Sequence, residues 1–128
     1  MADTGTAVVD LRTEIGTIKR LDVDWTSDSS GDVEKAVTEQ LNGILLALIT
    51  DPDGTDVPDA SYDVTIEDDK GIDILLGKGV DRSATLVESV PLDLSTGQPR
   101  PVATPTFTFK VANAGNAKKG FVQLLFRG

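Results

Sequence analysis

The stretch Tyr62-Asp63-Val64-Thr65-Ile66-Glu67 decides the fold class, because apolar and polar side chains alternate strictly along it. Such alternation places one row of side chains in a core and the other row in water, as in a half-buried β-strand. The next residues, Asp68-Asp69-Lys70-Gly71, have the composition of a turn, and Gly71 can take a positive φ. Because Ile72 to Leu76 repeats the alternation, the sequence predicts a hairpin here.

A second hairpin is predicted at the end of the chain. Phe107 to Val111 alternates in the same way, Asn113-Ala114-Gly115-Asn116 is typical of a turn, and Phe121 to Phe126 returns. Earlier in the chain, Ile15 to Trp25 predicts another strand. Period-two patterning broken by turn residues indicates an all-β domain, either an antiparallel β-sandwich or a barrel.

The region from Val33 to Thr50 allows two interpretations. Its apolar residues fall at helical spacing between Val33 and Leu48, with charged residues on the other side. As strands, Val33–Thr38 and Ile44–Thr50 would flank Asn42-Gly43, the strongest short hairpin signal. We prefer two strands because the neighbouring segments are β, and a helix stays the alternative.

The remaining segments complete a sandwich. Thr85 to Leu94 predicts a strand interrupted by Pro91, and Gln98 to Pro105 predicts an extended edge or crossover, because its prolines cannot donate to a central ladder. Such a crossover is typical of Greek-key, Ig-like sandwiches. We therefore expect one sandwich domain over residues 15–128, preceded by an N-terminal arm or edge strand over residues 1–14.

Composition limits the chemistry of the chain. A length of 128 residues suits one domain, and 21 acidic against 12 basic residues give a net charge of −9, which disfavours nucleic acid and anionic membranes as partners. Cysteine and histidine are absent, so disulfides, thiolate metal sites and the commonest general base are excluded. We expect neither enzymatic activity nor a cofactor. The N-terminus lacks the features of a signal peptide, so we expect a cytoplasmic origin.

Each candidate site has a simpler interpretation. The segment Asp51 to Asp56, with Asp59, is similar to a calcium loop but lacks the closing glutamate. The carboxylates from Glu67 to Asp73 lie at a predicted turn, and Gly77-Lys78-Gly79 lacks the spacer of a phosphate loop. We expect solvated turns at the first two and a flexible connection at the third. Trp25 is expected in the core, and Lys118-Lys119 at an exposed turn.

Several phrases of the second half resemble a known group of proteins. They are Ser61 to Asp68 with Gly71 to Leu75, Asp81 to Thr85, Phe107 to Ala117, and Gly120 to Arg127. Together they resemble small structural proteins of tailed bacteriophages, over roughly residues 16–127 and most strongly after Tyr62. The resemblance implies a non-enzymatic virion component.

Within that group, capsid decoration, or cement, proteins are the preferred comparison, since they are often small, acidic, β-rich and trimeric. The resemblance then implies the major capsid protein or another virion protein as partner. The candidate partner-binding residues are Val8, Val9, Leu11, Leu124 and Phe126. Both faces of Phe121 to Phe126 are apolar, and filling of a wide core by Leu124 or Leu125 is the equally weighted alternative.

Two other functions stay open. The first is a head-to-tail connector, neck or tail component, which copy number would distinguish from a decoration protein. The second is a receptor- or glycan-binding module in which Trp25 or Tyr62 stacks on a sugar. It ranks last because the chain has one Trp and one Tyr.

Overall fold

The computed structural model describes residues 3–92 and 99–128, and for residues 11–15 it describes the backbone alone. The chain forms two antiparallel sheets packed as a sandwich, which confirms the all-β prediction. No helix occurs among the described residues. The strands are β1 (Thr6–Ile15), β2 (Ile18–Thr26), β3 (Val33–Val37), β4 (Leu41–Pro52), β5 (Asp63–Glu67), β6 (Glu88–Pro91), β7 (Arg100–Thr104), β8 (Phe107–Ala112) and β9 (Lys119–Arg127).

The larger sheet has the order β1-β2-β9-β4-β6, with β7 on a different part of β4. Its first two strands form a tight hairpin in which Ile15 lies opposite Ile18. Gly16 in the connection has a φ of 64°, a conformation that glycine adopts without a steric penalty. The predicted strand from Ile15 to Trp25 therefore begins later than expected, because Gly16-Thr17 forms the turn.

The smaller sheet has the order β3-β8-β5, and its inner face packs against the larger sheet. Along β8, Phe107, Phe109 and Val111 are buried, and they join Leu48 and Leu124 of the larger sheet in one core. Full burial of a large apolar side chain contributes about 1.5–3 kcal/mol. The alternation that the sequence shows is thus the alternation between core and solvent.

The central hairpin prediction is wrong in its second half. After β5 the chain makes a single bridge, Glu67 to Asp73, and then turns. The carboxylate of Asp73 accepts the backbone N–H groups of Leu75 (3.0 Å) and Gly77 (2.8 Å), which holds the chain in a compact turn. Ile74 and Leu75 are consequently both buried, whereas neighbours in a strand point to opposite faces.

The terminal hairpin prediction is also wrong, because β8 and β9 lie in different sheets. The connection between them crosses from one layer to the other. Ala114 is buried there; its N–H donates to the carbonyl of Gly31 (3.0 Å), and its own carbonyl accepts the N–H of Asp59 (2.9 Å). These bonds to two other loops replace those of a tight turn.

The ambiguous region consists of two strands, as preferred, but they do not pair. β3 pairs with β8, whereas β4 pairs with β6, β7 and β9. Asn42-Gly43 lies inside β4 and makes no turn. Gly43 instead allows the backbone of β4 to approach the backbone of β9 closely, since a Cβ at this position would lie 2.6 Å from the carbonyl oxygen of Arg127.

Both proline-containing segments lie at the edge of the larger sheet, a position predicted for the segment from Gln98 to Pro105 as one of two alternatives. β6 pairs with Ala47–Thr50 and β7 pairs with Leu41–Leu45, so both lie along the same side of β4. The parts of these predictions that fall on residues 93–98 lie outside the described residues. At the other edge, the segment predicted as an arm or edge strand contains most of β1. Before it, Thr4 bridges to Glu34 of the smaller sheet.

Candidate interaction surface

The first candidate surface is the outer edge of β1. This strand pairs with β2 and, in the described part of the chain, has no strand on its other side. An unpaired strand edge presents backbone donors and acceptors that can add a further strand. A register shift follows Asp10, so the regular part of this edge runs from Thr6 to Asp10.

Val8 and Val9 have different positions on this strand. Val8 is 71% exposed, on the solvent face, whereas Val9 is partly buried and packs against the core. Leu11 lies in β1, and its side chain is outside the described part. Of the two N-terminal candidates whose side chains are described, Val8 is therefore the one that a partner can contact through its side chain.

Leu124 and Phe126 need a correction, because their side chains lie in the core and not on the surface. Their exposed fractions are 0% and 3%. β9 is a central strand between β2 and β4, so it also has no free edge. Leu124 therefore fills the core, as the alternative prediction stated. Leu125, the next residue, is only half-buried.

The second candidate surface is a concave site of about 280 Å³ that crosses one end of the larger sheet, here called the cross-strand groove. Its walls are two rows of side chains from β1, β2, β9 and the end of β4. One row consists of Thr6, Thr26, Lys119 and Asp53, and the other of Val8, Asp24, Phe121 and Asp51.

The strand register produces the second row. Asp24 lies opposite Val8 on one side and opposite Phe121 on the other, and Phe121 lies opposite Asp51. Residues that are directly opposite in antiparallel strands share a face of the sheet. Half-buried Phe121 is therefore flanked by two carboxylates on the solvent face.

The groove has more negative than positive charge. Asp24 and Asp51 are exposed, and among the described side chains, which exclude those of residues 11–15, no cation forms a salt bridge with either. The ammonium of Lys119 is directed to a loop carboxylate, with Nζ 3.6 Å from Asp56. The carboxylate of Asp53 accepts backbone N–H bonds from Asp56 and Thr55, which lower its pKa below the ordinary value.

The solvent face of the smaller sheet is different, because its carboxylates are paired. Lys110 lies 3.0 Å from Glu67 and 3.4 Å from Glu34. The hydrogen bond to Glu67 is the main reason that the pKa of Lys110 is raised. Charges on this face neutralise one another locally, whereas Asp24 and Asp51 on the other face have no such counterpart among the side chains that the structure describes.

Trp25, Gly120 and Pro52 lie between the two rows of the groove. A Cβ on Gly120 would lie 2.5 Å from Cζ2 of Trp25, so the absent side chain makes room for the indole. Trp25 is buried as predicted, and Tyr62 is buried as well. Neither ring is exposed as a platform on which a sugar could stack.

The other candidate sites form local turns. Asp68 accepts the N–H groups of Lys70 (2.8 Å) and Ile72 (3.0 Å), and Asp53 accepts those of Thr55 and Asp56. Gly77-Lys78-Gly79 also belongs to a turn, in which the N–H of Lys78 donates to the carbonyl of Leu75 (3.1 Å). Gly79 itself is buried, and its carbonyl accepts the N–H of Val64 in β5 (2.8 Å). No group of three or more metal-ligating side chains occurs among the described residues.

The same part of the chain contains no helix that is long and apolar enough to cross a membrane.

Sequence reasoning missed an apolar surface on the connection between β5 and β6. Five large apolar side chains are 42–65% exposed there: Ile72, Leu76, Val80, Leu86 and Val87. The sequence does contain an indication of this surface, namely two pairs of adjacent apolar residues, Leu75-Leu76 and Leu86-Val87. Adjacent side chains of an extended segment cannot both face one core.

Comparison with known proteins gives little further information. No family model matches the chain, and no curated protein matches it. Among solved structures, the chain is similar to a cupin domain from Bordetella pertussis Tohama I, with 12% identity and a TM-score of 0.35, over 100% of this chain and 99% of that one. A likeness at this level does not demonstrate a common fold.

Proposed function

We propose that this protein is a non-enzymatic structural component of a bacteriophage particle, a capsid decoration protein that binds neighbouring subunits through the edge of β1. The partner is the major capsid protein or another virion protein. The protein acts as a homo-oligomer, with a trimer favoured, on the capsid surface after assembly in the host cytoplasm.

The observation that carries this proposal is the outer edge of β1, along which no strand of the described residues pairs. Its regular part, Thr6 to Asp10, is long enough to form several ladder hydrogen bonds with a strand from another subunit. Val8 is 71% exposed beside that edge, and it would lose this exposed area on binding. Natural sheets usually protect such an edge, so its occupation by a partner explains why it is left open.

The sequence adds support of a different kind. The phrases after Tyr62 resemble tailed-phage structural proteins, and an all-β sandwich suits that resemblance. The net charge of −9 keeps such a subunit soluble before assembly.

Counting the chain in purified particles tests the proposal. We expect many copies on the outer surface of the capsid, at positions related by the capsid symmetry. A few copies at a single vertex would instead identify a connector, neck or tail component. Absence of the chain from particles would overturn the virion assignment altogether.

A pair of variants tests the edge itself. Val8→Lys places a charge beside the β1 edge, which is a common protection against strand addition. We expect this variant to remain folded but to be largely missing from particles. Ser89→Lys is the matched control, because Ser89 is exposed on β6 at the opposite side of the sheet. Equal incorporation of the two variants would contradict binding through β1.

A further inference from the structure

We propose that the cross-strand groove binds an arginine side chain from a basic segment of a partner protein. The groove combines three features that suit a guanidinium group: two carboxylates without a described counterion, an aromatic ring between them, and a concave shape. This inference concerns the chemistry of the partner and holds whether or not the partner belongs to a virion.

The spacing of Asp24 and Asp51 suits one guanidinium group. Each lies directly opposite Phe121 from a neighbouring strand, so their backbones are separated by two interstrand distances, about 10 Å. The guanidinium fork has five N–H donors and forms hydrogen bonds of about 2.8 Å to carboxylates. A group placed over Phe121 can therefore reach both aspartates.

Phe121 supplies the surface on which that group would lie. Its side chain is half-buried on the solvent face of β9, so the ring is fixed by the sheet and still accessible from the groove. A guanidinium group over an aromatic face is attracted electrostatically by the ring, also at exposed sites. Arginine fits better than lysine, because its planar group both stacks and forms directed hydrogen bonds.

At the groove itself, where Asp24 and Asp51 already carry negative charge, electrostatics favour a basic segment of a partner over a second copy of the chain. Two copies would each bring a net charge of −9 to the contact, and like charges raise the free energy of association. The cation of the groove, Lys119, is already paired with Asp56 and does not neutralise Asp24 or Asp51. A positively charged segment would remove this imbalance.

Titration of the intact, isotopically labelled protein tests the inference. The probe is the peptide acetyl-Thr-Val-Arg-Val-Thr-amide, and its control replaces arginine by citrulline, which has nearly the same shape without the charge. We expect the arginine peptide to shift the NMR signals of Asp24, Phe121 and Asp51, and the citrulline peptide to bind more weakly by about fivefold or more.

Two sets of variants locate the binding. We expect the double variant Asp24→Asn and Asp51→Asn to lower the affinity for the arginine peptide by about fivefold. A larger loss is not expected, since each exposed charge pair contributes little. Asp32→Asn with Glu39→Gln makes the same change in net charge at exposed positions outside the groove and should leave binding nearly unchanged. Phe121→Leu should weaken binding by about threefold.

Three results would each overturn the inference. They are equal affinity for the arginine and citrulline peptides, equal loss of affinity in the two double variants, and no shift at the groove up to the solubility of the peptide. Shifts at the groove that depend on protein concentration without peptide would instead identify a second copy as the occupant. None of these results bears on the copy number in particles, so the proposed function is tested separately.

Discussion

The rings of Trp25 and Tyr62 lie with their centroids 5.6 Å apart and their planes inclined by 49°. Trp25 belongs to β2 of the larger sheet, and Tyr62 immediately precedes β5 of the smaller sheet, so this contact joins the two layers. Both side chains are almost completely buried. Pairs of this geometry contribute about 0.5–1.5 kcal/mol beyond the burial of their area. Because the chain has one Trp and one Tyr, their spectra report on this contact alone.

The first prediction concerns alkaline unfolding. Burial raises the pKa of Tyr62 above its ordinary value of 10.0, so the folded state holds the phenolic proton more tightly than the unfolded state does. The stabilisation is complete below pH 10.0 and is lost as the pH rises through the folded pKa. We expect tyrosinate absorbance to appear only above that pH, together with loss of the circular dichroism of the sheets.

Tyr62→Phe is the control for this prediction, since it keeps the ring and removes the titrating group. Its stability should decline less steeply over the same alkaline range. Titration of Tyr62 at its ordinary pKa, with the sheets intact, would contradict the burial of the hydroxyl.

The second prediction concerns the contact between Gly120 and the indole of Trp25. A Cβ at Gly120 would lie 2.5 Å from the ring, which is too close for the buried side chain to remain in place. We expect Gly120→Ala to lower the free energy of unfolding by about 1–3 kcal/mol, as overpacking of a core does. Urea denaturation followed by circular dichroism measures this change.

Gly54→Ala provides the matched comparison, because a Cβ at Gly54 would meet nothing within 4 Å. The change in its free energy of unfolding should stay within about 0.5 kcal/mol. Similar losses in both variants would show that the indole does not occupy the position described.

The alternation of side chains predicted most strands but not their partners. Val64 and Ile66 identify β5 locally, because the periodicity of a strand depends on neighbouring residues alone. Pairing depends on which chain segments meet across the sandwich. Asn42-Gly43 has the composition of a hairpin turn, yet it lies within β4, because contacts with β7 and β9 outweigh the local turn preference.

The candidate surface was accessible to sequence reasoning only in part. Val8 could be identified as an exposed apolar residue near a predicted edge. The row of Asp24, Phe121 and Asp51 could not, because these residues are far apart in sequence and the strand register alone aligns them. Leu124 and Phe126 were placed on a surface because β9 has apolar residues on both faces, and only the packing of the smaller sheet against one of them shows which face is inside.

The third prediction concerns the connection between β8 and β9. The hydroxyl group of Ser27 donates to the carbonyl of Gly115 (2.6 Å), and its oxygen accepts the N–H of Lys118 (2.9 Å). Ser27 is buried, so water cannot easily replace these bonds. We expect Ser27→Ala to cost about 1–3 kcal/mol in the free energy of unfolding, because both backbone groups lose this partner.

Hydrogen exchange offers a second measurement of the same contact. The amide of Lys118 should exchange faster in Ser27→Ala than in the unsubstituted protein. Ser29→Ala is the control, because Ser29 is exposed in the same loop. An unchanged exchange rate at Lys118 would mean that the hydroxyl does not hold this connection.

The fourth prediction compares neighbouring leucines on β9. Leu124 is fully buried between the sheets, whereas Leu125 lies on the opposite face and is half-buried. We expect Leu124→Ala to lower the free energy of unfolding by about 2–5 kcal/mol, since it removes buried methyl groups and leaves a cavity. Leu125→Ala should cost about 1 kcal/mol, because solvent already reaches its side chain. The two variants make the same chemical change at adjacent positions, so chemical denaturation of both shows which face of β9 is inside. If Leu125→Ala lowered the free energy of unfolding more than Leu124→Ala, the opposite face of β9 would be the inner one. The alignment of Phe121 with Asp24 and Asp51 on the solvent face would then be wrong as well.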